Sequence, residues 1–331
     1  MKYKKITVLS ALTYFIMLVF STTAEVSEIS DKRALFTKDK EATLIAALVS
    51  HEVAPYKEAL KGFQEVMSAK GSSYEVIVYQ DVPLAEEKRA ALAEELKAIK
   101  PDLVLSVGTE ATKLAAQRIK GVPIIFSMAL ISNVMSLRGT NNNLTGASIN
   151  IPVEDQLEEL SNILPEVKKV GLICDSDYYN KYVANQVELL LKETGIELIT
   201  RFVKDESEVF KALDSILSEI DIFLYMPDQV IFSDKTMKFI MSESAKRKVP
   251  LIAPSPRFIE EGALIALGCD YRDIGRQSAE LALEAIEGKP VSQIPISQAR
   301  STHLYLNLRA AKSINLDISP EAISHADKII E

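Results

Sequence analysis

Ten residues that could bind a small molecule lie at or just beyond the ends of the strands that the sequence predicts. In chain order they are Ser50, His51, Tyr56, Gly108, Thr109, Ser127, Tyr178, Asp228, Ser255 and Asp270. The pair Gly108-Thr109 is the most informative, because glycine lets a backbone approach a ligand closely and threonine is a favourable helix cap. The unpaired amides of a helix start suit a carboxylate or another polar group. For Thr109, and equally for Ser127 and Ser255, the alternative is a structural side chain with nothing bound to it.

The acidic and aromatic members of this set keep two interpretations each. Asp228 either caps the element that follows it or faces a ligand, where a carboxylate would bind an amino group or a hydroxyl. Tyr56 and Tyr178 either close on an apolar or aromatic ligand or belong to the hydrophobic core. The set as a whole therefore indicates a binding site for a small organic ligand that has both polar and apolar parts.

The sequence lacks the patterns that catalysis and cofactor binding require. His51, His303 and His325 have no metal-ligand spacing between them. The first predicted strand runs into Ser50 and His51 instead of the glycine-rich fingerprint of a dinucleotide site, and no Gly-x-Ser-x-Gly motif is present. His51 has a serine beside it, but adjacency in sequence does not make a catalytic pair. We therefore predict no catalytic residue, no metal, no cofactor and no enzymatic activity.

Strand-like and helix-like segments alternate along the chain in two series. The first series has strands at 43–49, 74–79, 103–107 and 123–126 with helices at 56–69, 85–99 and 110–119. After a polar break at 132–143, the second has strands at 170–174, 197–203, 222–226, 250–253 and 263–269 with helices at 153–164, 182–193, 208–217 and 234–246. The chain ends with a helix at 274–286, a strand at 303–308 and a helical tail from residue 320.

These two series predict an α/β protein with two doubly wound parallel-sheet lobes. Continuous apolar strands between amphipathic helices are typical of parallel sheets that are covered on both faces. In such sheets ligands bind beyond the carboxyl ends of the strands. We therefore expect the loops that follow the strands of both sheets to line one cleft.

The first 24 residues have the features of a secretory leader. Lys2, Lys4 and Lys5 precede an apolar run at 6–20, and small residues follow up to Ala24, which predicts cleavage near Ala24. The alternative, a membrane anchor, is disfavoured because the run is shorter than the roughly 20 apolar residues of a spanning helix. No cysteine lies near the cut, so we expect a periplasmic protein without a lipid anchor. Loss of the three lysines takes the formal net charge from −8 to −11, which disfavours nucleic acid as a partner.

An ordered set of short stretches resembles a known family. The stretches are 101–109, 122–126, 143–146, 156–157, 164–165, 170–171, 262–264, 270–271, 274–280 and 306–308. They resemble the ABC transporter substrate-binding proteins related to the tryptophan-binding lipoproteins, and they cover essentially the whole chain after the leader. The resemblance implies a type I periplasmic-binding-protein fold with a multi-strand hinge, crossed near 149–153, 270–274 and 297–302.

The expected domains and function follow from this resemblance. We expect a leader at 1–24, an N-terminal lobe at 41–150 plus 273–297, and a C-terminal lobe at 151–272 plus 298–331. The expected function is that of a monomeric extracytoplasmic solute-binding protein of an ABC importer. Its lobes would close around an amino-acid-like or aromatic ligand, and its partner would be the permease. The alternatives are a receptor subunit that signals to a membrane sensor protein and an enzyme of the same fold.

Overall fold

The computed structural model describes residues 5–9, 42–70, 74–139, 142–184, 194–226, 228, 230–231 and 233–331. Within it the chain divides into two compact units. Unit 1 comprises Met1–Asn150 and Asp270–Arg300, and unit 2 comprises Ile151–Cys269 and Ser301–Glu331. Both units are therefore assembled from segments that are far apart in the sequence.

The strands and helices of the described residues alternate over most of the chain. The strands are β1 Lys5–Leu9, β2 Thr43–Val49, β3 Tyr74–Tyr79, β4 Leu103–Val107, β5 Ile124–Ala129, β6 Leu144–Ser148, β7 Lys169–Cys174, β8 Glu197–Phe202, β9 Ile222–Leu224, β10 Leu251–Ala253, β11 Ile265–Cys269, β12 Thr302–Asn307 and β13 Lys328–Ile330. The helices are α1 Ala54–Ala69, α2 Glu86–Ile99, α3 Thr109–Arg118, α4 Ile131–Arg138, α5 Val153–Ile163, α6 Ser176–Tyr182, α7 Glu206–Ile216, α8 Asp234–Lys246, α9 Tyr271–Ile286, α10 Leu308–Ser313 and α11 Pro320–His325.

Unit 1 is built on a sheet with the strand order β1-β3-β2-β4-β5-β6. Strands β3, β2, β4, β5 and β6 pair in parallel in that order, and β1 is antiparallel to β3. Strands β2 and β4 are apolar almost throughout and are buried on both faces. Helices α2, α3 and α4 cover one face of the sheet, whereas α1 and α9 cover the other. The carboxyl ends of the parallel strands therefore lie along one edge of this unit.

Unit 2 is built on a sheet with the order β13-β12-β11-β10-β9-β7-β8. Strands β11, β10, β9, β7 and β8 pair in parallel in that order, and β12 pairs with β11 in the antiparallel direction. One hydrophobic core contains side chains of α5, α6, α10 and α11, and a second core contains side chains of α7 and α8. This sheet also has its parallel carboxyl ends along one edge.

The predicted fold class is confirmed, and three local predictions are wrong. The predicted helical tail from residue 320 contains helix α11 but ends in strand β13. The predicted polar break at 132–143 contains helix α4, whose Ile131 and Val134 are buried. The residues after β7, which we predicted to form a loop, form helix α6 behind an Asp175 cap. The predicted helix at 182–193 falls largely on residues 185–193, which lie outside the described residues.

Most of the predicted leader also lies outside the described residues, which include only β1 from it. Among the helices that the structure describes, each is too short or too polar to cross a lipid bilayer.

Candidate functional site

Three neighbouring strands of unit 1 bring Ser50 and Gly108, just past the ends of β2 and β4, next to Ser127 within β5. Strands β2, β4 and β5 are adjacent in the sheet, and their hydrogen bonds continue past the ends of β2 and β4. The Ser50 amide donates to the Val107 carbonyl at 2.9 Å, and the Gly108 amide donates to the Ser127 carbonyl at 2.8 Å. Three of the predicted residues therefore share one stretch of the edge.

Helix α3 begins at this edge, and its cap differs from our prediction. The N-cap is Gly108, in a backbone conformation with φ of 88°, so the prediction that Thr109 caps the helix is wrong. A glycine has no side chain to accept a hydrogen bond from the helix. Instead the Ser50 hydroxyl oxygen accepts from the Ala111 amide at 2.9 Å. Sequence-local reasoning misses this cap because Ser50 is 61 residues away from Ala111.

The first two amides of α3 have no hydrogen-bond acceptor among the described residues. Ala111 donates to Ser50, and Thr112 donates its amide to the Gly108 carbonyl. For the Thr109 and Glu110 amides, no acceptor is found among the residues that the structure describes. Amides at a helix start carry part of the positive end of the helix dipole, so they favour an anion. This helix start can bind a carboxylate.

The charge next to these amides is balanced. Burial alone would raise the pKa of Glu110, but hydrogen bonds and ion pairs with Lys113 at 3.0 Å and Arg89 at 3.3 Å hold it below its usual value. Glu110 is therefore ionised and paired with two cations. It does not leave an isolated negative charge that would repel a bound carboxylate.

Tyr56 lies against Gly108. A Cβ atom at position 108 would be 2.7 Å from the Tyr56 ring and 2.7 Å from the Ser50 hydroxyl. Burial, and to a smaller extent the charge of Glu110, raises the pKa of Tyr56. The Tyr56 hydroxyl is therefore neutral at physiological pH. The structure thus places an aromatic ring against Gly108, the residue that precedes the first two amides of α3.

The other predicted residues at this edge are less enclosed. His51 is exposed, and Thr109 is half-buried as the first residue of α3. The loop that carries His51 is held by Asp81, whose carboxylate accepts from the Glu52 amide at 3.0 Å. Asp81 follows β3 in a left-handed conformation with φ of 55°. We did not predict Asp81, although it follows a strand just as Ser50 follows β2.

Ser127 lies within β5 at an irregularity of the strand. Met128 has a φ of 63°, and the pairing of β5 with β6 shifts between Ser127 and Ala129. The Ser127 side chain is 1% exposed, and its hydroxyl has no hydrogen-bond partner among the described residues. Its neighbour Phe126 packs in the core under α2 to α4, so alternation turns Ser127 towards α1 and α9. Most buried hydroxyls in proteins have a hydrogen-bond partner, and the role of Ser127 as a ligand contact stays a prediction.

Asp228 organises the corresponding edge of unit 2. Its side chain is 1% exposed, and its carboxylate accepts from the Asp175 amide at 2.7 Å and from the Val230 and Ile231 amides at 2.8 Å each. Burial raises the pKa of Asp228, against the opposing effect of these three hydrogen bonds. Asp228 thereby ties the residues after β9 to the start of α6, and its role as a ligand contact stays a prediction.

The remaining predicted residues occupy three different settings. Tyr178 is buried in the core of unit 2, and its amide donates to the Asp175 carboxylate that caps α6. Ser255 is half-buried and precedes a short turn of helix, which it does not cap with its side chain. Asp270 caps α9 in unit 1 by accepting from the amides of Arg272 and Asp273. The Asp270 carboxylate is thus engaged in a structural role.

The edge of unit 1 at the start of α3 offers backbone hydrogen-bond donors close to an aromatic ring. Within the described residues, no group of three His, Cys, Asp or Glu side chains is arranged to hold a metal ion. We did not predict Asn150, which lies two residues after β6 and accepts from the Ile131 amide at 2.8 Å through its side chain. The rule that selects residues after strands would have found it.

Comparison with known proteins gives a consistent set of relatives. A family model described as "ABC transporter substrate binding protein" matches residues 43–330. A tyrosine-binding protein of Clostridioides difficile is 28% identical over 283 residues, which cover 82% of this chain and 80% of that protein. An uncharacterised protein of Rickettsia prowazekii is 24% identical over 270 residues, covering 80% and 83%.

Solved structures share the fold at low identity. The complex of an ABC domain from Streptococcus pneumoniae with L-Trp superposes with a TM-score of 0.60 at 19% identity, and the match covers 88% of this chain and 100% of that one. The ligand-free, open structure of a substrate-binding protein with adhesive properties from Clostridium difficile gives a TM-score of 0.64 at 17% identity, with coverages of 87% and 99%.

Proposed function

Because this chain belongs to the family of ABC transporter substrate-binding proteins, we propose that it binds an aromatic amino acid, L-tyrosine first, and delivers it to an ABC permease. Proteins of this family bind a solute and do not transform it, so the chain is a binding protein rather than an enzyme. The choice of ligand is supported by the tyrosine-binding relative from Clostridioides difficile.

The observation that carries this proposal is the start of helix α3. The amides of Thr109 and Glu110 are donors of the kind that an α-carboxylate requires, and the Tyr56 ring lies against the preceding residue, Gly108. Charge-assisted hydrogen bonds to backbone amides are stronger than those between neutral groups. An aromatic side chain of the ligand would gain contact area against a ring such as that of Tyr56.

The proposal includes closure and location. The ligand stabilises a closed arrangement of the two units, and the permease recognises this arrangement. The protein acts in the periplasm after its leader is removed near Ala24. The mass of the exported protein tests that cut, and a mature chain that still contains residues 1–24 would contradict it.

Calorimetric titration with L-tyrosine, L-tryptophan and tyramine tests the ligand. Tyramine is tyrosine without its carboxylate, so its affinity should be lower by roughly 10- to 100-fold if the amides of α3 bind that group. At several hundred times the dissociation constant, L-tyrosine should add about 3 kcal/mol to the free energy of unfolding.

The three ligands separate the possible failures. If neither aromatic amino acid binds, the proposed ligand class is wrong. If tyramine binds as tightly as L-tyrosine, the carboxylate does not bind at α3, although the ligand class would stand.

A further inference from the structure

Three connections join unit 1 to unit 2, and each leaves unit 1 at a defined residue. The boundaries lie after Asn150, before Asp270 and after Arg300. Any movement of one unit against the other must bend the chain near these points. The contacts that hold the three exits within unit 1 therefore decide where bending can take place.

Arg300 attaches the third exit to helix α9 through two carboxylates. Its guanidinium donates to both Asp273 oxygens, at 2.9 and 3.0 Å, and to both Glu280 oxygens, at 2.7 and 2.9 Å. Asp273 is buried, and the two carboxylates raise the pKa of Arg300 further above its usual value. Paired bidentate contacts of this type fix geometry as well as charge, and lysine cannot reproduce them.

The same helix carries the second exit. Asp270 caps α9 at its first turn, one residue after the boundary with unit 2. About two turns further along, the buried Gln277 side chain donates to the Gln298 carbonyl at 2.8 Å. The segment that ends at Arg300 is thus attached to α9 at two separate points.

Asn150 attaches the first exit to the third. Its carbonyl accepts from the Ala299 amide at 3.0 Å, and Ser148 donates its amide to the Ser297 carbonyl at 2.8 Å. The Asn150 side chain, 7% exposed, also accepts from the Ser148 hydroxyl and from the Ile131 amide, both at 2.8 Å. The first exit is therefore fixed both to the start of α4 and to the segment that precedes Arg300.

We infer that Arg300 and Asn150 are positioning residues for ligand binding, because they hold the unit 1 ends of all three connections as one rigid block. The inference rests on the proposed closure of the two units around a ligand. With the exits fixed, bending is confined to the residues just beyond them in unit 2. If the three exits could move independently, the ligand-free protein would have more conformational entropy to lose when the units close. This entropy loss would weaken ligand binding without any change in ligand contacts.

The variant Arg300→Gln tests this role against the matched control Arg276→Gln. Arg276 is also on α9 and also pairs with a carboxylate, Glu65, which Arg272 holds as well. The Arg276 pair joins α9 to α1 and does not involve Asn150 or Arg300. We expect Arg300→Gln to raise the dissociation constant for L-tyrosine roughly 3- to 10-fold, whereas Arg276→Gln leaves it within about twofold. Arg300→Lys should lie between the parent protein and Arg300→Gln.

A measurement without ligand separates this inference from the proposed function. Spin labels at the exposed positions Lys88→Cys in unit 1 and Lys238→Cys in unit 2 report the distance distribution between the units. The background is Cys269→Ser, because Cys269 is half-buried whereas the other cysteine, Cys174, is buried. The distribution should be broader in Arg300→Gln and unchanged in Arg276→Gln. Equal widths in all three proteins overturn the inference, as do equal losses of affinity in the two variants. If the parent protein binds neither L-tyrosine nor L-tryptophan, the proposed function is wrong. The widths of the distance distributions then test the role of Arg300 on their own.

Discussion

A comparison of Gly108 with a second glycine separates the loss of binding from the effect of backbone strain. Its φ of 88° favours glycine, and a methyl group would collide with Tyr56 and Ser50, the residues that shape the start of α3. Gly121 is a matched control, because it has a φ of 74° but open space around the added methyl group. Both positions carry the backbone strain, and only Gly108 adds the collision.

We expect Gly108→Ala to lower the affinity for L-tyrosine at least roughly tenfold, since a shifted Tyr56 and a distorted helix start both disturb the carboxylate donors. Gly121→Ala should lower the melting temperature through strain on the order of 1 kcal/mol and leave the affinity unchanged. Calorimetry and thermal unfolding of both variants measure the two effects. Parent-like affinity in folded Gly108→Ala would remove α3 as the ligand anchor.

At the scale of elements, helices α1 and α9 meet through glycines. A Cβ atom on Gly275 would overlap the Ala59 carbonyl, and one on Gly62 would overlap the Arg272 carbonyl. The two helix backbones are therefore too close together to leave room for a methyl group at either glycine. This close contact lets α9, although distant in sequence, cover the same face of the sheet as α1. The position of α9 in turn sets the second and third exits from unit 1.

Gly275→Ala should therefore destabilise the protein, although alanine is favoured over glycine in a helix by about 1 kcal/mol. Overpacking typically costs about 1–3 kcal/mol, so the steric effect outweighs propensity. At Gly139, after α4, an added methyl group meets only ordinary contacts at 3.7 Å or more. Denaturant unfolding should show Gly139→Ala near the parent protein. A stabilised Gly275→Ala would mean that the two helices are not in close contact.

The elements also show which features a sequence pattern can predict. Most strands of both sheets were predicted, because burial on both faces requires continuous apolar runs, whereas β1, β6 and β13 were not predicted as strands. Helix α4 was missed because Ser132, Asn133 and Ser136 make the segment look polar. Only two of its residues, Ile131 and Val134, are buried, and their packing stabilises the helix. The cap of α3 was missed for a related reason: Ser50 supplies it from another strand. Patterns report local preference, whereas these two features depend on contacts between distant residues.

At the scale of the whole molecule, a truncation of the C-terminus affects the two units differently, because unit 2 includes the last segment of the chain. Unit 1 is complete at Arg300, whereas unit 2 still requires β12, which pairs with β11, and β13. Of the predicted site residues, Ser50, Tyr56, Gly108 and Thr109 all lie in unit 1. A chain that ends at residue 301 therefore retains the proposed carboxylate donors and loses the support of the second sheet.

We expect hydrogen exchange of this truncated chain to show protected amides in β2, β4 and β5 and unprotected amides in β9 to β11, because β11 loses its antiparallel neighbour and the core under α10 and α11 is opened. A second truncation after residue 269 removes α9 as well, so protection should also be lost in β5 and β6, which α9 covers. Loss of protection throughout the longer fragment would show that unit 1 depends on unit 2 for its stability. The difference between the two fragments therefore measures what α9 and its Arg300 contacts contribute to unit 1 alone.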